Sequence, residues 1–201
     1  MTIKLYSLGL LLLLLTVFNG VTNGQTKKSD IEWRCFLKHI SIMGNTNVNS
    51  FQFNYTVPFE DSIPPGYGTP ICKSDTDLVI YKIPVEAFTG NNSMMLQDFR
   101  ELLKYREYPV IQVEFDKEVF RNIVMGRMPD LSMNLTLAGV TNKVVSNYTI
   151  KKRTVDRIYI EGYFTILLTK FKLEPPEKLF GMIHVSDPLW VHYNITLFKK
   201  E

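Results

Sequence analysis

Three histidines, two cysteines and a scatter of carboxylates are the side chains of this protein that could do chemistry. His39, His184 and His192 are its only imidazoles. Converged in one cleft they would form a metal site or a general acid–base pair. Their wide separation and the lack of a His-Glu-x-x-His helix give no ligand spacing that demands convergence. His192 falls on the wet face of an alternating segment, and His184 follows Gly181-Met182-Ile183 at a strand start. All three are read as surface or hydrogen-bonded residues, and no metal site is assigned. Asp98, Glu101, Glu114 and Glu161 fall on predicted solvent faces, whereas paired-carboxylate catalysis needs two of them in one cleft. The sequence has no Gly-x-Ser-x-Gly elbow, Gly-rich phosphate loop or Cys-x-x-Cys. It therefore assigns no catalytic residue and no cofactor. A hydrolase built from converged His and Asp is the weakest functional reading.

Cys35 and Cys72 are too few for a zinc site, and no histidine pair lies near them at ligand spacing. Their significance depends on the compartment. The chain opens MTIKLYSLGLLLLLLTVFNGVTNG, with an early cation at Lys4, an apolar run from Leu8 to Phe18, and small or polar residues to Gly24. That layout predicts a secretory signal peptide over residues 1–24, with Thr22 and Gly24 at the small-residue positions before the cut. The run falls short of the ~20 apolar residues that span a bilayer. Residues 25–201 are then a single exported domain, periplasmic or secreted, with no stable membrane span. In that oxidising setting Cys35 and Cys72 are expected to form one disulfide.

Composition narrows the partners. The net charge of +3 is too small to suggest nucleic acid. The basic clusters Lys27-Lys28, Lys151-Lys152-Arg153 and Lys199-Lys200 are short and lie at ends or turns. Thirteen Phe and ten Tyr against two Trp favour strands. The sequons at Asn54, Asn91, Asn134, Asn147 and Asn194 are read as polar outward positions of strands.

Period-two alternation recurs along the chain. It places Phe51, Phe53, Tyr55 and Val57 on one face, then Val79, Tyr81, Ile83 and Val85, then Ile111, Val113 and Phe115. It continues through Met133, Leu135 and Leu137, through Val144, Tyr148 and Ile150, through Ile158, Ile160, Phe164 and Ile166, and through Val191, Tyr193, Ile195 and Leu197. Trp33–Met43 is a further strand with mixed faces. About eight strands, each wet on one side and dry on the other, describe an all-β antiparallel domain, a closed barrel or a sandwich. Turn signals at Gly44-Asn45 and Ala138-Gly139, and a Pro/Gly-rich loop over Ile63–Pro70, separate them.

One segment changes period. In MMLQDFRELLKYREYPVIQVEF, Met95, Phe99, Leu102 and Leu103 fall at helical spacing before Tyr108-Pro109. Ser93 or Asn92 can cap a helix beginning at Met94, and Pro109 forbids its continuation. A helix this short must lay its apolar face on something. The open end of a barrel is one such place, as a lid over a cavity or as a plug on a packed core. Parity selects Phe51, Phe53, Ile111, Val113, Phe115, Phe164, Ile166 and Tyr193 as the interior lining. The sequence leaves open whether these fill the interior or line a tunnel, since a barrel of ~8 strands does either.

Several stretches resemble the YceI-like family of exported, lipocalin-like barrels. LTLAGVTNKV (Leu135–Val144) resembles that family's hairpin, and LLKYREYPVIQVEF (Leu102–Phe115) its helix, Tyr-Pro and strand. KIPVEAFTGNNSMMLQDF (Lys82–Phe99) is similar to its strand leading through a Gly-containing turn into the helix. FTILLTKFKLEPPEKLFGMIHVSDPLWVHYNITL (Phe164–Leu197) resembles its final strand pair. ISIMGNTNVNSFQFNY (Ile40–Tyr55) is similar to a variant opening of Bacteroidetes-type members. The loop Phe59–Asp77 has no counterpart, and Lys170-Phe171-Lys172 departs from the family's step before the last strands. The resemblance implies a periplasmic or secreted barrel that binds an isoprenoid quinone or polyprenyl lipid inside its tunnel. Joined to the strand count it makes the expected fold a closed barrel of about eight strands, a non-enzymatic carrier with Met95, Phe99, Leu102 and Leu103 of the helix closing one end. The alternative is an exported interaction module with a packed core, contacting partners through Phe59–Asp77.

Overall fold

A computed structural model describes residues 33–57, 71–72, 77–175, 177–178 and 183–199, with backbone alone at 71–72, 177–178 and 183. The expected signal peptide and most of the Phe59–Asp77 loop lie outside the described residues, as does the side chain of Cys72, so the expected disulfide does too. Cys35 is buried, and Tyr81 Oη donates to its Sγ at 2.7 Å.

The alternation folds as antiparallel strands. These are β1 (Trp33–Asn45), β2 (Ser50–Thr56), β3 (Ile71–Cys72), β4 (Leu78–Pro84) and β5 (Thr89–Gly90), then β6 (Val110–Asp116), β7 (Leu131–Leu137), β8 (Val140–Arg153) and β9 (Arg157–Leu167). β10 (Glu177–Lys178) and β11 (Ile183–His184) form a separate two-stranded pair among the described residues, and β12 (Pro188–Lys199) follows. The main sheet has ten strands in the order β3-β4-β6-β7-β8-β9-β12-β1-β2-β5.

The expected closed barrel of about eight strands is corrected here to a strongly curled, open sheet. Among the described residues no ladder joins the β2–β5 edge to the β3–β4 edge. The gap is spanned by chain. β4 ends at Pro84, which has no N–H to donate. The backbone then turns through a 3₁₀ segment, Val85–Ala87, and lands as β5 on β2, with Phe53 opposite Gly90. Pro84–Thr89 thus ties one edge of the sheet to the other. Across the same gap Tyr81 of β4 meets Cys35 of β1.

The concave face is the apolar one. Ile158, Ile160, Phe164 and Ile166 of β9 lie beside Leu189, Val191, Tyr193, Ile195 and Leu197 of β12, all buried. Bulges between Leu37 and His39 and between Ile150 and Lys152 bend β1 and β8. Ala138 and Gly139, both at positive φ (44° and 77°), make the tight β7–β8 hairpin that the turn signal predicts.

Two α-helices, not one, flank β6. The expected helix is α1 (Ser93–Leu102), with Asn92 Oδ1 accepting from Met95 N at 3.0 Å. It ends where Lys104 takes the left-handed conformation, before Pro109 is reached. The second, α2 (Lys117–Val124), is capped by Asp116, whose carboxylate accepts from Glu118 N at 2.8 Å. Because α1 leads into the start of β6 and α2 leaves its end, the helices cover opposite ends of the curl. No helix among the described residues is long and apolar enough to cross a membrane, which says nothing about spanning by strands.

Candidate ligand-binding site

The α1 end of the curl is where space collects. An apolar pocket of about 380 Å³ lies between α1, the β1–β2 turn and the start of β12. Val48, Phe51, Phe53, Met94, Met95, Phe99, Leu102, Leu168, Val185 and Leu189 form its greasy wall, and Thr46, Asn49, Asn92 and Asp98 its polar part. Phe53 and Phe99 meet with ring centroids 4.7 Å apart, and Phe88 packs edge-on to Phe99 at 5.4 Å. Arg100 pins α1 to the edge-to-edge connection by donating from Nη2 to the carbonyls of Glu86 (2.8 Å) and Phe88 (3.2 Å).

Beside this pocket runs a groove of about 550 Å³, and the two share Asn49, Phe51, Phe53, Asn92 and Met95. Inward from the pocket, Phe99, Leu102, Leu168 and Leu189 form a layer that also borders a gap of about 40 Å³ in the interior. A second gap of about 30 Å³ lies deeper, against Tyr81, Phe115, Phe164 and Tyr193. Each interior gap has room for little more than a water molecule, and both are apolar.

A profile of the YceI-like domain matches residues 26–197. The chain belongs to the YceI-like family. A solved polyisoprenoid-binding domain from Saccharophagus degradans, implicated in plant cell wall breakdown, superposes on this YceI-like chain with a TM-score of 0.61. The identity is 13%, over 85% of this chain and 99% of that one. Burkholderia cenocepacia BcnA superposes with a TM-score of 0.50 at 14% identity, over 83% and 99%. At such identities the likeness shows the fold. No curated protein matches the sequence significantly.

The twelve residues singled out by parity and helical spacing divide between the two kinds of space. Phe51, Phe53, Met95, Phe99 and Leu102 line the mouth pocket of the YceI-like curl. Ile111, Ile166 and Leu103 border the 40 Å³ gap, Phe115 and Tyr193 the 30 Å³ gap, and Val113 and Phe164 both. They bound separate spaces and not a continuous tunnel. Tyr193 is held deep in the wall, where its hydroxyl meets Ser146 Oγ at 2.8 Å and burial pushes its phenol well above the usual range. Its ring lies over Gly162, where an added Cβ would come within 2.2 Å of it.

Sequence reasoning missed Val48, Asn49, Leu168, Val185 and Leu189. Leu189 continues the parity of Val191 and Tyr193 and was legible in principle. Val48 and Asn49 sit in the β1–β2 turn, Leu168 opens a 3₁₀ segment (Leu168–Phe171) and Val185 lies in an isolated bridge to Thr46, so no periodicity applies to them.

The chemistry-bearing side chains assemble elsewhere. His39 and His192 do approach each other, on the outer face of β1 and β12. His192 Nε2 bonds Glu161 at 2.8 Å, Glu161 pairs with Lys151, and His39 Nδ1 meets Thr56 Oγ1 at 2.9 Å. Partial burial, and then the neighbouring His192, hold the His39 imidazole below its usual pKa. His184 is exposed on β11. Among the described residues no three His, Cys, Asp or Glu stand close enough to hold a metal ion.

Proposed function

We propose that this protein is an exported, non-enzymatic binding protein that holds a long apolar chain, an isoprenoid quinone or polyprenyl lipid, in its concave interior. The observation that carries the reading is the 380 Å³ apolar mouth pocket, whose inner wall of Phe99, Leu102, Leu168 and Leu189 is also the outer wall of the interior gap. A chain seated at the mouth passes inward by displacing that layer, two of whose four residues belong to α1. α1 acts as the lid, with Arg100 as its tether. Burial contributes about 0.8 kcal/mol per CH₂, or about 4 kcal/mol per five-carbon isoprene unit, so a long chain binds without polar contacts. The polyisoprenoid-binding description of the Saccharophagus degradans domain supports the same reading. Native mass spectrometry of protein purified from its own host tests it. A co-purifying lipid of constant mass is expected, and a consistently ligand-free species overturns the proposal.

The small interior gaps favour a second reading, an exported interaction module with a packed core. Uptake of xenon or an apolar dye separates the two, because a filled interior takes up neither.

A further inference from the structure

Apolar side chains project into solvent at the α2 end of the curl, opposite the mouth. Val155 is 90% exposed at the tip of the β8–β9 hairpin, and Met125 and Met128, just past the last turn of α2, are 62% and 61% exposed. Exposed cations stand around them. Arg127 lies between the two methionines, Lys152, Arg153 and Arg157 flank the hairpin tip, and Lys199 ends β12. We infer that this end is a docking surface for an anionic lipid bilayer, with Val155, Met125 and Met128 entering below the headgroups and the cations meeting lipid phosphates.

A single exposed apolar residue is ordinary on a protein surface. Three observations set this group apart. First, the fold gathers it. The Arg153 guanidinium donates to the carbonyls of Ile123 and Val124 at 2.7 and 3.3 Å, which fastens the hairpin to α2 directly before Met125. Lys199 N donates to Asp156 O at 2.8 Å and brings the end of β12 to the same tip. Second, the turn that displays Val155 is held in shape. Thr154 N donates to Arg157 O at 2.7 Å, and Thr154 Oγ1 meets Asp156 Oδ1 at 2.7 Å and accepts from Arg157 N at 3.0 Å. An ordered tip loses little conformational freedom on insertion.

Third, the charge is one-sided. Over Met125–Asp130, Lys152–Arg157 and Lys199, five cations stand against two carboxylates, Asp130 and Asp156. Nearby on α2, Arg121 is paired with Glu118. Interfacial binding grows with inserted apolar area and with attraction to anionic lipid. Each basic residue at such a surface contributes about five-fold in partition. A single-stranded nucleic acid would call for stacking aromatics in place of projecting aliphatic tips. Docked by this end, the domain holds its mouth away from the bilayer. The inference goes beyond the carrier reading and does not depend on what the mouth binds.

Co-sedimentation with vesicles, using protein purified from its own host, tests it. Phosphatidylcholine vesicles with about one-third phosphatidylglycerol should bind about ten-fold more tightly than phosphatidylcholine alone, and salt at about 0.5 M should remove most of the difference. Lys152→Glu with Lys199→Glu should weaken binding to the anionic vesicles by about ten-fold or more. Lys82→Glu with Lys143→Glu makes the same charge change at exposed positions of β4 and β8 away from this end, and should weaken it by under about three-fold. Val155→Asp should weaken binding about five-fold and Val155→Trp should tighten it, with circular dichroism unchanged in all. Every variant shares one N-terminus, so the ratios read this end alone. Equal binding to both vesicle types, or a control pair as damaging as the Lys152 and Lys199 pair, overturns the proposal. Heparin binding that matches vesicle binding, with both Val155 variants unchanged, assigns the end to a soluble polyanion and overturns it as well.

Discussion

The two ends of the curled sheet are each covered by a short amphipathic helix, and they are built to opposite specifications. At one end α2 is a plug. Ile123 has no exposed surface, Phe120 packs on Phe115 at 5.3 Å, and the guanidinium of Arg153 donates to the carbonyls of Ile123 (2.7 Å) and Val124 (3.3 Å). None of the four spaces described above is lined by α2. At the other end α1 rests on a pocket. Met95 and Leu102 are half-buried, Met94 is 69% exposed, and only Phe99 of the helix is buried. The lesson is that amphipathicity alone does not separate a plug from a lid. What separates them is whether the face meets close-packed atoms or unfilled volume.

The contrast can be broken most directly by truncating each helix. Ile123→Ala should cost about 2–5 kcal/mol, as a fully buried aliphatic side chain does. Met95→Ala should cost under about 1 kcal/mol, because its half-exposed side chain already borders empty space. Both are read by urea unfolding. Similar losses would abolish the distinction between the ends.

The filled wall between the ends gives the next effect. Gly162→Ala places a methyl group against the Tyr193 ring and should destabilise by about 1–3 kcal/mol. Adding Tyr193→Leu should recover part of that loss. An unchanged midpoint for Gly162→Ala would show that the interior yields more easily than its packing implies.

Filling the mouth probes the lid end alone. Leu102→Trp inserts an indole where the pocket meets the interior gap, and apolar-dye affinity should fall at least ten-fold with the folded state retained by circular dichroism. Retained dye binding would place the site elsewhere.

The smallest effect is on the outer face, away from both ends. The folded pKa of His39 lies below its unfolded value of about 6.5, so the unfolded chain binds more protons in that window. Stability should therefore fall modestly as pH drops through and below 6.5, and His39→Gln should flatten that dependence. A rise in stability on acidification attributable to His39 would reverse the assignment.

Much of this was legible in the sequence, because burial of one face of a strand writes itself as period two. All eight alternating or mixed segments are strands, and the parity-chosen residues turn to the concave side. α1 was legible from Met95, Phe99, Leu102 and Leu103 at helical spacing, ended before proline. α2 was not. Its eight residues, KEVFRNIV, are too few for a clear period, and Val, Phe and Ile are strand formers elsewhere in the chain. Asp116 closes β6 and caps α2 at once, so no composition shift marks the change.

By itself the sequence determined the strands, their inward faces, one helix and the membership of the YceI-like family, since each depends on local periodicity or on ordered motifs. The tertiary structure decided whether the sheet closes, where volume remains and which residues of the β1–β2 turn and of the start of α1 line one pocket. Those depend on the curl that brings Asn45–Gln52 beside Asn91-Asn92. No local pattern encodes a distance between segments some forty residues apart.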